Sequence, residues 1–170
     1  MIYFVTENYL DNHTPLTANV DAGQISKWVK VNAENWTRKI IGTHFFESLL
    51  TKYNNQTLSM GETRIVSLLQ PAIAWRAAAD CALDLTFQLK NKGITTQSGD
   101  NSESADMQDV QFVMSHYNQK AAIYEAEIFE FLQIKQNADI YPDFTSSDNI
   151  DSRAKNCGEG NNYSKSIIII

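Results

Sequence analysis

The residue types that most often do chemistry are scattered along this chain. His13, His44 and His116 are far apart, and none lies one helical turn from another histidine, a cysteine or a carboxylate in a recognised metal-ligand spacing. Cys81 falls in an alanine-rich stretch, where a thiol behaves as a small apolar group, and Cys157 lies in a polar segment. No glycine-rich phosphate loop stands between a strand and a helix. The pattern predicts no catalytic residue, no metal site and no cofactor.

Carboxylates are concentrated in and around one predicted helix. They are Asp100, Glu103, Asp106, Asp109, Glu125, Glu127 and Glu130, with Lys120 as the main positive charge of that helix. Such a run is most often a solvated helix face, and acidic residues in a first turn also favour the helix dipole.

Four consecutive isoleucines follow a polar stretch; they are Ile167, Ile168, Ile169 and Ile170. β-Branched residues without an apolar partner nearby in sequence favour docking onto a neighbouring subunit or another protein, for example by adding a strand to a sheet edge. In a strand, Ile167 and Ile169 would lie on one side and Ile168 and Ile170 on the other, so both sides need cover. The alternative is that this segment folds back on its own bundle.

Hydrophobic periodicity predicts a mainly α fold, a bundle of four or five helices with a short N-terminal arm and an extended C-terminal tail. The first expected helix runs from about 22 to 41, and the second from Thr43 as N-cap to the Asn54–Asn55 turn. The third begins at the Ser59/Glu62 capping box and extends to Gly93, with a break near Gln70 because Pro71 follows. The fourth runs from about 105 to 135. Residues 93–104 are expected to form a surface loop, and strand is expected only at the termini, for instance in residues 1–5. The predicted domains are an arm 1–20, a bundle 21–136 and a partner-docking tail 137–170.

Charge and composition narrow the class of protein. The formal net charge of −6 over 170 residues repels polyanions and lacks the basic footprint of a nucleic-acid binder. Two cysteines are too few for a disulfide framework, and no long apolar run suits a membrane. We expect a soluble protein of a reducing compartment.

Several short strings, in order along the chain, carry a resemblance to a known family. They are the stretch from Lys39 through Gly42 to Leu50, the alanine-rich segment with Pro71, Trp75 and Ala77–Ala79, the string Asn91 to Gln97, the helix with Tyr117, Lys120, Ala121 and Tyr124, and its end at Phe131–Leu132 before Tyr141–Pro142. Over about residues 1–145 this order resembles the head-tail connector proteins (head-completion or adaptor proteins) of tailed bacteriophages, most closely those of crAss-like phages.

The resemblance implies a structural virion protein and not an enzyme. Its subunits would form a ring, expected to be a dodecamer, between the portal protein and the next tail or adaptor protein, at the portal vertex of the virion and in the host cytoplasm during assembly. DNA would pass through without specific binding. The carboxylates that face the lumen would be Asp100, Glu103, Asp106 and Asp109, or else Glu125, Glu127 and Glu130. One alternative is a free helical protein-binding or scaffold module. A small hydrolase with an unrecognised histidine and carboxylate pair is a second alternative, which no spacing supports.

Overall fold

Two long helices, α5 and α6, organise the fold of the computed structural model, which describes residues 3–16, 22–90, 93–96, 107–138 and 140–156. The elements are α1 (Glu7–His13), α2 (Ala22–Asn32), a π-helical turn (Ala33–Thr37), α3 (Arg38–Ile41), α4 (Thr43–Asn54), α5 (Met60–Thr86), β1 (Phe87–Lys90), β2 (Gly93–Thr96), α6 (Met107–Gln133), α7 (Lys135–Ala138), α8 (Pro142–Thr145) and α9 (Arg153–Asn156). The predicted mainly α helical bundle is confirmed.

The predicted helix boundaries hold where local signals set them. Gly42, at φ +90°, ends the helical run that begins at 22, as a left-handed C-terminal glycine should. Ser59 and Glu62 form the expected capping box before α5: the Ser59 N–H donates to Glu62 Oε2 at 2.8 Å, and the Glu62 N–H donates to Ser59 Oγ at 3.2 Å.

The helix α2 and the π-helical turn run antiparallel to α5. Trp28 Nε1 donates to Asp84 Oδ2 at 2.5 Å, and Asn32 Nδ2 donates to Asp80 Oδ2 at 2.7 Å. One step further along, the Arg76 guanidinium lies 4.2 Å from the centroid of the Trp36 ring. Moving four residues toward the C-terminus along α2 and the π-helical turn therefore corresponds to moving four residues toward the N-terminus of α5.

Helix α6 packs against α5, also in the antiparallel sense. The Trp75 and Tyr117 rings lie 5.4 Å apart, and nearer the other end of the pair Arg64 lies 5.4 Å from the Phe131 centroid. The alanines of α5 are buried in this region, which lets neighbouring helices approach closely. Since α2 and α6 are both antiparallel to α5, they run parallel to each other.

Pro71 does not divide α5. The helix continues from Met60 to Thr86, so the expected break near Gln70 is wrong. Interior proline costs about 3 kcal/mol, whereas Leu69 and Ile73 on either side are almost fully buried and contribute about 1.5–3 kcal/mol each. Core packing on both sides of the proline offsets its cost.

The C-terminal end of α5 differs from the expectation as well. The helix ends at Thr86, and β1 pairs antiparallel with β2, with Phe87 opposite Thr96 and Lys90 opposite Gly93. The helix was expected to reach Gly93, residues 93–96 were expected in a loop, and strand was expected only at the termini; these three expectations are wrong. Aromatic and β-branched residues on the two segments favour strand over helix.

The described part of the N-terminal arm belongs to the core. Phe4 is fully buried and has φ +63°, a left-handed conformation, and its carbonyl accepts from Tyr53 Oη at 3.0 Å and Gln70 Nε2 at 2.8 Å. Thr6 then caps α1, whose Leu10 is also buried. An independent arm is therefore the wrong description of residues 3–13, because their apolar side chains fill the bundle. The strand expected in residues 1–5 is absent from residues 3–5, and residues 1–2 lie outside the described residues.

Residues 140–156 also pack on the bundle, and we call them the C-terminal strap. Tyr141, Phe144 and Ala154 are 2–3% exposed, and Tyr141 Oη donates to the Gly61 carbonyl at 2.9 Å. The predicted boundary that left an extended tail from 137 is wrong for the strap. Tyr141 and Phe144 pack on Phe45 of α4, and α9, which carries Ala154, packs on α3 and α6. Residues 157–170 lie outside the described residues.

Candidate interaction surfaces

The strap caps the first turn of α4. The Thr43 N–H donates to Asp151 Oδ1 at 2.8 Å and the Thr43 hydroxyl donates to Asp151 Oδ2 at 2.5 Å. Thr43 was expected to be the N-cap, but it is the first helical residue, and the capping carboxylate comes from 108 positions later. The hydrogen bond from the Thr43 hydroxyl is the main cause that lowers the pKa of Asp151. A carboxylate at this helix end also satisfies the dipole.

The same strap donates hydrogen bonds to the last two carbonyl groups of α3. Asn149 Nδ2 donates to the Ile41 carbonyl at 2.8 Å, and Ser152 Oγ donates to the Ile40 carbonyl at 2.9 Å. Asn149 and Ser152 are both fully buried. A Cβ on Gly42 would overlap the Asn149 side chain, so this position requires glycine for space as well as for its positive φ.

Ser48, Lys52 and Asp143 form the arrangement nearest to a nucleophile with a base. A lysine one turn from a serine can activate it when the lysine is neutral. Here the hydrogen bond from Lys52 Nζ to Glu62 Oε1, at 2.5 Å, is the main cause that raises the pKa of Lys52, so the amine stays protonated. Ser48 Oγ donates to Asp143 Oδ2 at 2.5 Å and lowers the pKa of that carboxyl. These hydrogen bonds fasten the strap to α4.

Arg76 connects three helical segments. Its Nε and Nη2 donate to the two carboxylate oxygens of Glu125 at 2.8 and 3.0 Å, and its Nη1 donates to Asn118 Oδ1 at 2.9 Å. The guanidinium also stacks on Trp36 in the π-helical turn. The Arg76 and Glu125 side chains are only 16% and 15% exposed. This bidentate pair, which we call the Arg76 bridge, fixes the register of α6 against α5.

The Arg76 bridge corrects one predicted site residue. Glu125 was expected to face a lumen, but its carboxylate is turned inward to Arg76. A largely buried carboxylate paired through both oxygens has little charge to present to solvent. Sequence reasoning missed this pair because 49 positions separate its members.

Three of the other predicted carboxylates share one face of α6. Asp109, Glu127 and Glu130 are exposed on the side opposite the buried seam of Val110, Ala121, Ile128 and Leu132. Phe112 and Ile123 lie on the same side and are 75% and 60% exposed. We call these five exposed residues the outer face of α6.

The two apolar residues of this face were missed at the sequence level. Their spacing of eleven residues is three helical turns, about 16 Å, and could have revealed a second apolar line on this helix.

The remaining predicted site residues cannot be placed on this surface. The acidic ones, Asp100, Glu103 and Asp106, lie outside the described residues. The four isoleucines expected to dock onto a partner lie outside them as well; they are Ile167, Ile168, Ile169 and Ile170. Their lumen-facing and partner-docking roles therefore stay predictions.

Two other features of the described residues are a cavity and a buried thiol. A half-open cavity of about 320 Å³ is lined by Tyr3, Glu34, Arg38, Phe46, Glu47, Leu50 and Thr51. Tyr3 Oη donates to Glu34 Oε1 at 2.8 Å there, and burial raises the pKa of Tyr3. Burial likewise raises the pKa of Cys81 to about 12, so it stays a thiol.

Within the described ranges, no group of three or more histidines, cysteines or acidic residues could hold a metal ion, and no helix is long and apolar enough to cross a membrane.

Comparison with curated proteins gives no match, and comparison with solved structures gives none either. A family model does match residues 37–154. The matched region begins at the end of the π-helical turn, contains α4, α5, α6 and the Arg76 bridge, and continues through the strap to Ala154. The chain therefore belongs to DUF6712, a family of unknown function.

Proposed function

We propose that this protein is a structural subunit of a head-tail connector in a tailed bacteriophage. In this proposal its copies form a ring, expected to be a dodecamer, between the portal protein and the next tail or adaptor protein. The resemblance of residues 1–145 to connector proteins supplies the place in the particle. The ring would be part of the virion at the portal vertex, assembled in the host cytoplasm, and it would let DNA pass without catalysing a reaction.

One observation carries the proposal on the structural side. Phe112 and Ile123 expose most of their surface on a helix whose opposite side is fully occupied by the core. The two side chains lie about 16 Å apart on that face, so a protein partner that covers both would contact about three turns of the helix. The strap and the N-terminal residues already pack on the bundle, so α6 retains a long side for a neighbour.

Charge is compatible with the passage of DNA. The net charge of −6 disfavours adhesion of phosphates to the subunit as a whole. In the proposal, DNA slides past a surface of like sign, and the contacts that hold the ring are made between proteins.

The test is co-expression with the cognate portal protein, followed by native mass and negative-stain imaging. We expect a ring attached to the portal and the protein to be present in purified virions. The matched variants are Phe112→Ser with Ile123→Ser, and Met60→Ala, which alters a residue 91% exposed at the start of α5. We expect the first to lose attachment and the second to keep it. A protein that stays monomeric with the portal and is absent from virions contradicts the proposal.

The competing function, a free helical protein-binding or scaffold module, would use the same exposed residues of α6 for a different partner. The same experiment separates the two, since only a connector is retained at the portal vertex of purified particles.

The proposal extends to the isoleucines from Ile167 through Ile168 and Ile169 to Ile170, which would dock onto a neighbouring subunit or the portal. Four buried isoleucines would contribute at most about 6–12 kcal/mol, and fixing four backbones costs about 4–8 kcal/mol, so a single tail binds weakly. Repetition around a ring raises its effective concentration. Deleting residues 163–170 should leave the melting temperature nearly unchanged and abolish incorporation into particles. Normal incorporation of the truncated protein would refute this docking.

A further inference from the structure

The outer face of α6 combines two properties that suit different partners. Its carboxylates, Asp109, Glu127 and Glu130, would suit a channel that repels DNA. Phe112 and Ile123, however, lie among these carboxylates and are 75% and 60% exposed. A lumen wall gains nothing from large apolar groups in water, whereas a protein interface buries them. The mixture favours a protein partner that brings apolar surface and positive charge.

The same chain carries a surface of that kind on α2 and α3. Lys27, Lys30 and Lys39 are exposed or partly exposed there, together with Val31, which is 47% exposed. Trp28, Val29 and Ile40 point to the core instead. The carboxylate between them in the π-helical turn, Glu34, already accepts a hydrogen bond from Tyr3. We call Lys27, Lys30, Val31 and Lys39 the outer face of α2 and α3.

Residues of the two outer faces also lie at matching positions along the helix axes, and we call such a position a residue's height. The pairs of Trp28 with Asp84 and Asn32 with Asp80 place Val31 level with about residue 81 of α5. The contacts of α5 with α6, such as Trp75 with Tyr117, place residue 81 level with about residue 113. Val31 therefore lies at the height of Phe112.

The charged residues follow the same register. Lys27 lies at about the height of Asp109, one turn before Val31 and Phe112. By the same count Lys39 is level with about residue 121, close to Ile123 and about 9 Å along the helix axis from Glu127. In a ring whose axis runs along the helices, neighbouring copies keep the same height, so opposite charges and apolar residues would meet.

We propose that the outer face of α6 in one copy packs against the outer face of α2 and α3 in the next copy. This interface rests on the proposed ring. Because the two surfaces differ, the contact is head to tail. In any open assembly, the outer face of α6 stays uncovered on one end copy, and the outer face of α2 and α3 stays uncovered on the other. Each added copy extends the array until it closes.

Cysteine cross-linking tests the contact directly. Cys157→Ser gives the background, since Cys81 is buried as a thiol and unreactive. Assembled on the portal, a Val31→Cys/Phe112→Cys chain treated with a short bismaleimide should give a ladder of covalent multimers. A mixture of the two single variants should stop at covalent dimers. The matched control replaces Val31→Cys by Met60→Cys, an exposed residue outside both faces, and should give none.

Charge reversal supplies the second arm. We expect Glu127→Lys and Lys39→Glu each to weaken association by about threefold, as exposed pairs do. Combined in one chain, the two changes restore an opposite-charge contact and should recover association. Failure of the combined variant to recover would count against this pairing.

The outcomes separate the interface from the ring. Rings that form on the portal without a Val31–Phe112 cross-link overturn the interface and leave the connector proposal standing. A chain that neither associates with itself nor attaches to the portal overturns both. If Glu127→Lys slows genome ejection from particles that assemble normally, and no cross-link forms, the outer face of α6 lines the channel and the interface is wrong.

Discussion

Replacing Asn149 by alanine is the most informative single change in the strap. Its side chain is fully buried and donates to the Ile41 carbonyl at 2.8 Å and the Phe144 carbonyl at 3.1 Å. It also accepts from the Phe45 N–H at 3.4 Å, a contact too long to contribute much. In Asn149→Ala, two buried carbonyls lose their partner.

The expected loss of stability follows from those carbonyls. Leaving a buried polar group unsatisfied costs about 1–3 kcal/mol, so two give about 2–6 kcal/mol, and water entering the vacated space reduces the figure to about 3 kcal/mol. For a chain of this size that lowers the melting temperature by about 6–12 °C.

Urea unfolding measures the change, with the slope against denaturant held as a check that the unfolding transition is unaltered. Asp148→Ala is the matched control, because its side chain is exposed beside Asn149, and it should change stability by less than about 0.5 kcal/mol. A loss below about 1 kcal/mol in Asn149→Ala, or equal losses in both variants, would refute the role given to the strap.

Three further predictions concern the same framework. Arg76→Lys should destabilise the fold by about 1–3 kcal/mol in urea unfolding, since lysine cannot make the bidentate pair with Glu125; a neutral result would mean that the bridge contributes no net stability. The pKa values of Asp143 and Asp151 are lowered in the folded state. The stability that these carboxylates contribute is therefore present above their unfolded pKa of about 4 and is lost as the pH falls through the lower folded values. Melting temperatures measured from pH 6 to pH 2 should drop less in Asp143→Asn/Asp151→Asn than in the parent protein. Gly42→Ala should cost at least about 1–3 kcal/mol from its positive φ alone, with more from overlap with the strap, and an unchanged melting temperature would contradict the backbone argument.

Local signals in the sequence located most helices. Gly42 and the Ser59/Glu62 capping box act within a few residues, so their effect is readable from spacing alone. The apolar seam of α6 has a clear helical period, and the helix begins and ends within about two residues of the expectation.

The strap and the Arg76 bridge could not be read in the same way. Tyr141 and Phe144 follow no helical or strand period, and the strap is held by hydrogen bonds to backbone groups about 100 residues earlier in the chain. Glu125 resembles the other acidic residues of α6 until the position of Arg76 is known. Such contacts depend on the packing of helices, which spacing along the chain does not reveal.

The capping of α4 by the strap has a consequence for the order of synthesis. Thr43 leaves the ribosome 108 residues before Asp151, which at 5–20 residues per second is about 5–20 s. During that interval the first turn of α4 has no capping carboxylate, and Phe45 lacks the aromatic neighbours Tyr141 and Phe144 that cover it in the finished fold. The nascent chain therefore carries an incomplete core throughout that interval, and closure of the domain waits for the strap to emerge.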